Sequence, residues 1–220
     1  MSAIICTFQP TIEHARMDQP VLEQGRLAVI LHTRPAFEMS DDEFFEFCRI
    51  NREFRIEQTS GGDLIVMTPT GGETGHAIFE ISGQVREWAK RDGMGAGFDS
   101  STGFVLPNGA KRSPDVAWVT RARLAPLSRA QKRRFLPLCP DLVVELRSPG
   151  DNPGTLLEKM REYTANGARI GLLVDPLERR VHVCRPGREP EALEAPAVIE
   201  GIAELPGLRL ELAEVWEPRF

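Results

Sequence analysis

An α/β layer fold is predicted for this chain on three observations. Residues 140–175 read as strand, helix, strand in "PDLVVELRSPGD", "NPGTLLEKMREYTANG" and "RIGLLVDP", a succession that favours sheets covered by helices over a pure sandwich or bundle. Residues 74–92 set Ile78, Ile81, Ser82, Val85, Trp88 and Ala89 on one helical stripe, suited to packing on a sheet. Residues 95–119, "GAGFDSSTGFVLPNGAKRSPDVAWV", are β-branched and aromatic with Gly and Pro punctuation, as in short strands joined by turns.

Taken in order, the N-terminal extension 1–35 holds one strand candidate, "RLAVILH" (26–32), closed by Pro35. Ser40 and Glu43 form a capping-box pattern ahead of Phe44, Phe45 and Phe47 and predict a helix over 41–51. "FRIEQ" (54–58) and "LIVMT" (64–68) flank Gly61-Gly62 and predict a hairpin. The helix 74–92 is stopped by Gly93. Two or three strands follow in 95–119, with a turn at Pro107-Asn108-Gly109. A strand over 141–147 leads to a helix opened near Pro153 and stopped at Gly167, then strands over 169–176 and 180–186 complete the predicted core. The tail from 187 is rich in Glu and Pro, and "GLRLELAEVW" (207–216) returns as a strand or short helix. Residues 36–220 are read as one domain without internal repeats.

Composition is that of an ordinary globular chain. Its 220 residues, 41% hydrophobic and 27% charged, can bury a core without disulfides or structural metal. The opening "MSAIICTFQP" lacks a basic n-region, and no run approaches the ~20 apolar residues of a membrane span, so a cytoplasmic protein is expected. Cys6, Cys48, Cys139 and Cys184 show no CxxC spacing and read as reduced packing residues. The net charge of −5 argues against a general nucleic-acid coat, yet Val116 to Pro140 contains no acid. That stretch carries Arg121, Arg123, Arg129, Lys132, Arg133 and Arg134, readable as a solvated helix and loop or as a phosphate-binding rim.

Glu145 stands inside the apolar run Leu142, Val143, Val144, Leu146. A buried carboxylate must be paired, hydrogen-bonded, metal-bound or protonated. By strand alternation Glu145 shares a face with Val143 and Arg147, so Arg147 is one compensating partner. Asp115, in "SPDVAWV", opens another strand, and if the two strands are neighbours both carboxylates meet at one sheet end. Only a divalent cation would make their repulsion tolerable there, and oxygen ligands without Cys or a His triad select Mg²⁺ or Mn²⁺ over zinc. On the following helix Lys159 falls beside Tyr163 at the margin of the stripe Leu156, Leu157, Met160, Tyr163, Thr164, where it either reaches over the sheet edge or covers apolar surface.

A Pro-Asp at a strand start, a glutamate two residues before a basic residue on the next strand, and then a helix resemble the PD-(D/E)xK phosphodiesterase superfamily. "FRIEQTSGGDLIVMTPTG", "FDSSTGFVLPNGAKRSPD", "PDLVVELRSPGD" and "KMREYTANGARIGLLVDP" are similar to its Uma-two branch of restriction-type endonucleases. The resemblance implies a restriction-endonuclease-like mixed β-sheet flanked by helices, with additional N-terminal and C-terminal strands. It implies metal-dependent hydrolysis of DNA phosphodiesters, with Asp115 and Glu145 as metal carboxylates, the Leu146 carbonyl as an added ligand, and Mg²⁺, or Mn²⁺, as the ion. The usual lysine position holds Arg147, which does not deprotonate in proteins but can grip a phosphate oxygen and stabilise charge as a catalytic residue; in the resembling branch the lysine is moved to the helix, which gives its role to Lys159. Glu57 matches a glutamate position of the branch, as a third ligand or a group that positions water. DNA is the implied partner and a homodimer the implied assembly. His76 and Glu80 are read as solvent-exposed, Asp175 as a turn initiator before Pro176, and Asp151 as a cap or loop former. Two rival functions are a nuclease-like module that binds nucleic acid or protein without turnover, and a hydrolase of small phosphoesters.

Overall fold

The computed structural model describes residues 28–220. In chain order the first half holds β1 (Val29–Leu31), α1 (Asp41–Ile50), β2 (Arg55–Gln58), β3 (Leu64–Met67), α2 (Gly72–Asp92), β4 (Gly95–Asp99), β5 (Phe104–Val105), β6 (Lys111–Arg112) and β7 (Val116–Thr120). The second holds α3 (Arg121–Leu124), a 3₁₀ turn (Gln131–Arg133), β8 (Leu142–Leu146), α4 (Pro153–Ala165), β9 (Ile170–Asp175), β10 (Arg180–Cys184), β11 (Glu191–Glu194), β12 (Val198–Ile199), β13 (Leu210–Glu211) and α5 (Ala213–Trp216). The predicted strand 26–32 is β1; residues 26 and 27, Cys6 and the opening stretch lie outside the described residues. Among the described residues no helix is long and apolar enough to cross a membrane.

A mixed six-stranded sheet, ordered β11-β10-β9-β8-β7-β4, forms the centre. Strands β8 and β9 run parallel because α4 carries the chain back between them, whereas β7 and β8 are antiparallel. One sheet face carries Leu142, Val144 and Leu146 against Ile81, Val85 and Trp88 of α2. The other carries Val143 and Leu173 against Met160 and Tyr163 of α4. Both faces are covered, so β8 is apolar throughout except for Glu145. A second, five-stranded antiparallel sheet, β1-β3-β2-β6-β5, packs Ile56 and Leu64 on Phe44 of α1.

Local chemistry explains the helix limits. Ser40 Oγ accepts from the Glu43 amide while Glu43 Oε2 accepts from the Ser40 amide, the reciprocal capping that starts α1. Gly93, at φ 68°, takes the left-handed conformation that ends α2. Asn152 caps α4 by accepting from the amides of Gly154 and Thr155, and Asp151 shapes the preceding loop by accepting from the Ser148 amide.

Three expectations change. Residues 95–120 form four strands, because β5 and β6, two residues each, are too short to show alternation. Order continues past 186: β11 extends the central sheet, and Ile199, Ile202, Leu205, Leu208, Leu210 and Leu212 are buried beside α2. The expected return over 207–216 is β13 followed by α5, whereas Ile199, Ile202 and Leu205 before it come singly among Gly, Pro and Glu and show no strand period. His76 is half-buried, with the Phe220 ring 5.1 Å from its own, because the chain end folds back over α2.

Candidate active site

The two sheets and α4 converge at one place. Val116 pairs with Val144, so one step further the ladder sets Asp115, just ahead of β7, across from Glu145 near the end of β8. The neighbourhood anticipated for these carboxylates is therefore present. Both are buried, at 3% and 4% exposure, as are Glu57 on β2 at 2% and Arg112 on β6. Helix α4, docked by Met160 and Tyr163, sends Lys159 over the same spot.

Lys159 Nζ lies 2.8 Å from Glu145 Oε1 and 3.0 Å from Glu57 Oε1. Its side chain is 14% exposed, so this is no lysine stretched over apolar surface. Tyr163 donates its hydroxyl to Glu145 Oε1 at 3.0 Å. The Ser113 amide donates to Glu57 Oε1 at 2.9 Å, and Arg112 pairs with Glu57 Oε2 at 3.2 Å and with Glu162 at 2.6 Å. Arg55 pairs with Asp115 Oδ1 at 3.1 Å and also donates to the Ser113 carbonyl, while the Leu146 amide donates to Asp115 Oδ2 at 2.9 Å.

The electrostatics follow from burial with unequal compensation. Burial pushes the Glu57 carboxyl up, but Lys159, Arg112, Arg55 and the Ser113 amide outweigh it and hold its pKa at about 2. Burial raises Glu145; Lys159 opposes this, while Asp115 and Glu57 add to it, and the net shift is upward. Burial pulls Lys159 down, yet Glu145 and Glu57 more than restore it, so its amine stays a cation. Burial, with Glu145 and Glu57, lifts Tyr163 well above its ordinary value and keeps its hydroxyl a neutral donor.

The donor set fits a hard divalent cation in kind. Four carboxylates, Glu57, Asp115, Glu145 and Glu162, face three cations, Arg55, Arg112 and Lys159, which leaves one negative charge if all are ionised. Glu145 Oε2 is the one oxygen of Glu57, Asp115 and Glu145 that makes no hydrogen bond among the described residues. Both oxygens of Glu57 and both of Asp115 are engaged. Among the described residues no three His, Cys, Asp or Glu side chains are grouped to hold an ion alone. One or two carboxylates with water and phosphate is how Mg²⁺ is commonly bound.

Arg147 does not neutralise Glu145. It pairs with Asp175 Oδ2 at 2.7 Å and donates to the Asp151 carbonyl, which ties the ends of β8 and β9 together. Asp175 also accepts from the amides of Leu177 and Glu178, as a turn initiator does. The basic segment lies elsewhere. Arg121 follows the far end of β7 from Asp115 and donates to the Gly93 carbonyl; Arg123 pairs with Asp141, and Arg134 with Asp42. Arg129, Lys132 and Arg133 are exposed. None of the six lines the 400 Å³ pocket that holds Glu57, Glu145 and Lys159.

Sequence reasoning did not find Arg55, Arg112 or Tyr163 as site residues. Arg55 carried a usable signal, since it stands two residues before Glu57 and so shares its strand face. Tyr163 resembled any core aromatic, and its hydroxyl becomes informative only once Glu145 is seen beside it.

A mixed sheet covered by helices, with paired carboxylates at a strand end, is a restriction-endonuclease-like nuclease fold. The family model described as "Uma2: Putative restriction endonuclease" matches residues 41–213, and the chain belongs to that family. It is similar in fold to a crystal structure from Anabaena variabilis described as a putative nuclease belonging to DUF820, with a TM-score of 0.64 and 19% sequence identity over 81% of this chain and 97% of that one. No curated protein matches the sequence.

Proposed function

We propose that this protein hydrolyses DNA phosphodiester bonds with the help of Mg²⁺ or Mn²⁺ held by Asp115 and Glu145. The observation that carries this reading is the position of Lys159, whose amine lies 2.8 Å from Glu145 while Glu145 stands across from Asp115. A bound ion would lower the pKa of a coordinated water and neutralise charge on the phosphoryl oxygens. Lys159, kept charged by two carboxylates, donates to a non-bridging oxygen as negative charge develops there, and it is not the proton acceptor. Glu57, engaged by Arg112, the Ser113 amide and Lys159, holds Lys159 in place. Tyr163 fixes the orientation of Glu145 in the way outer hydrogen bonds steady metal carboxylates. Arg147 braces the ends of β8 and β9.

A second reading, a nuclease-like binding module without turnover, draws on Arg55 and Lys159, which already neutralise Asp115 and Glu145. Incubation of the purified protein with supercoiled plasmid and with single-stranded DNA, in Mg²⁺, Mn²⁺ or EDTA, separates the two. The nuclease reading expects cleavage with metal, none in EDTA, and none from Glu145→Ala. Binding without cleavage in every metal supports the module.

A further inference from the structure

Next to the site, and separate from its pocket, a groove of about 560 Å³ runs between the end of α1, the α1–β2 loop and the loops that follow β3 and β4. Arg55 lines both this groove and the pocket that holds Glu57, Glu145 and Lys159, so its guanidinium is the wall between them. That guanidinium reaches Asp115 with one nitrogen, while its Nε is buried without a partner.

The groove is cationic. Arg49, Arg52 and Arg55 line it with Glu53 as the one acid. Arg52 is exposed and has no ion-pair partner among the described residues. Arg49 holds only Glu46, one turn away, in an exposed pair that contributes little and exchanges readily for phosphate. Phe54 projects into the same groove at 48% exposure between charged neighbours, where no core claims it. Ser100 and Ser101 add hydroxyls on the opposite wall. The pocket over Lys159 is lined instead by more acids than bases, with Glu57, Glu145, Asp151, Glu158 and Glu162 beside Arg55, Arg112 and Lys159. The basic segment begins about 20 Å from Asp115, the length of β7 and its flanks.

We propose that the groove lined by Arg49, Arg52, Phe54 and Arg55 is the track that delivers one strand of single-stranded DNA to Asp115 and Glu145, a proposal that rests on the nuclease reading. The arginines take successive phosphates, Phe54 stacks an unpaired base, and Arg55 hands the backbone to the carboxylate end of the sheet. Spaced cations beside an aromatic platform are the means by which proteins hold single strands without reading sequence. A base stacked on Phe54 must be unpaired, which suits the groove to a single strand.

The test is fluorescence anisotropy of a fluorescein-labelled single-stranded oligonucleotide in EDTA over a range of salt, with a plasmid cleavage assay in Mn²⁺ run beside it. Arg52→Ala with Phe54→Ala should weaken binding roughly tenfold or more, since one stacked base and one phosphate contact are lost. Arg52→Ala alone should lower the salt slope by about 0.7. Arg129→Ala, Lys132→Ala and Arg133→Ala together should bind as the wild type does. Melting curves check that each variant folds, and both groove residues are exposed. The track is overturned if the double variant binds normally, if the triple variant weakens as much, or if a duplex of the same sequence binds as tightly. Wild type that cleaves plasmid without binding the oligonucleotide overturns the track alone; wild type that neither binds nor cleaves overturns the nuclease reading with it.

Discussion

Lys159 on α4 and Glu145 on β8 form a buried ion pair of 2.8 Å, fourteen residues apart along the chain and on opposite layers of the fold. The contact accounts for the carboxylate inside an apolar strand, and on the proposed nuclease reading it sets a cation where a phosphate would lie against Asp115 and Glu145.

Substitution of that cation should separate chemistry from binding. Lys159→Ala should lose activity on the order of 10²-fold, as expected when an electrostatic group is removed from a transition state. Arg147→Lys should retain turnover, because a lysine can still reach Asp175. Arg147→Ala should instead lower stability by about 3 kcal/mol by leaving Asp175 buried and unpaired. Single-turnover cleavage and urea unfolding report the two effects independently.

Tyr163→Phe removes one hydroxyl and leaves the ring packed. The Glu145 carboxylate then loses its neutral donor, and Mn²⁺ affinity should fall on the order of tenfold, as for other groups that orient metal ligands. Stability should change by only about 1 kcal/mol. Calorimetric titration measures the first and urea unfolding the second.

The two glutamates should act oppositely on the acid limb of stability. Glu57, held at about 2, is depressed, so its contribution is complete above the unfolded value near 4.5 and is lost as pH falls toward 2. Glu57→Gln should remove stabilisation on the order of 3 kcal/mol at pH 7 and flatten unfolding between pH 5 and 2. Glu145 is raised, so its contribution is most favourable below 4.5 and is lost as pH climbs through its folded pKa. Glu145→Gln should leave the metal-free melting temperature at pH 8 undiminished, while Glu57→Gln lowers it. Melting curves from pH 2 to 8 in EDTA decide the matter.

Periodicity and caps made much of this fold legible. The Ser40 and Glu43 box, the α2 stripe and the strand-helix-strand run over 140–175 each stand where local chemistry sets them. The strand count over 95–120 falls short because two-residue strands carry no period, and order over 187–206 goes unseen because its apolar residues act one at a time, while 207–216 returns as β13 and α5 as expected. In the site, the pairing of Asp115 with Glu145 could be anticipated from two strands opening and closing on carboxylates. Arg147 misled, because strand alternation gives its face but not that Asp175 waits on β9. The basic run follows the far end of β7 from Asp115, and a charge cluster in sequence does not reveal which end of a strand it follows.

The central claim is that Asp115 and Glu145 hold a divalent ion, and calorimetric titration of Mn²⁺ into the metal-free protein tests it most directly. The wild type should bind one or two ions per chain, with binding abolished in both Asp115→Ala and Glu145→Ala while each variant melts cooperatively without metal. Undiminished Mn²⁺ binding by either folded variant, or no binding by the wild type, would contradict it.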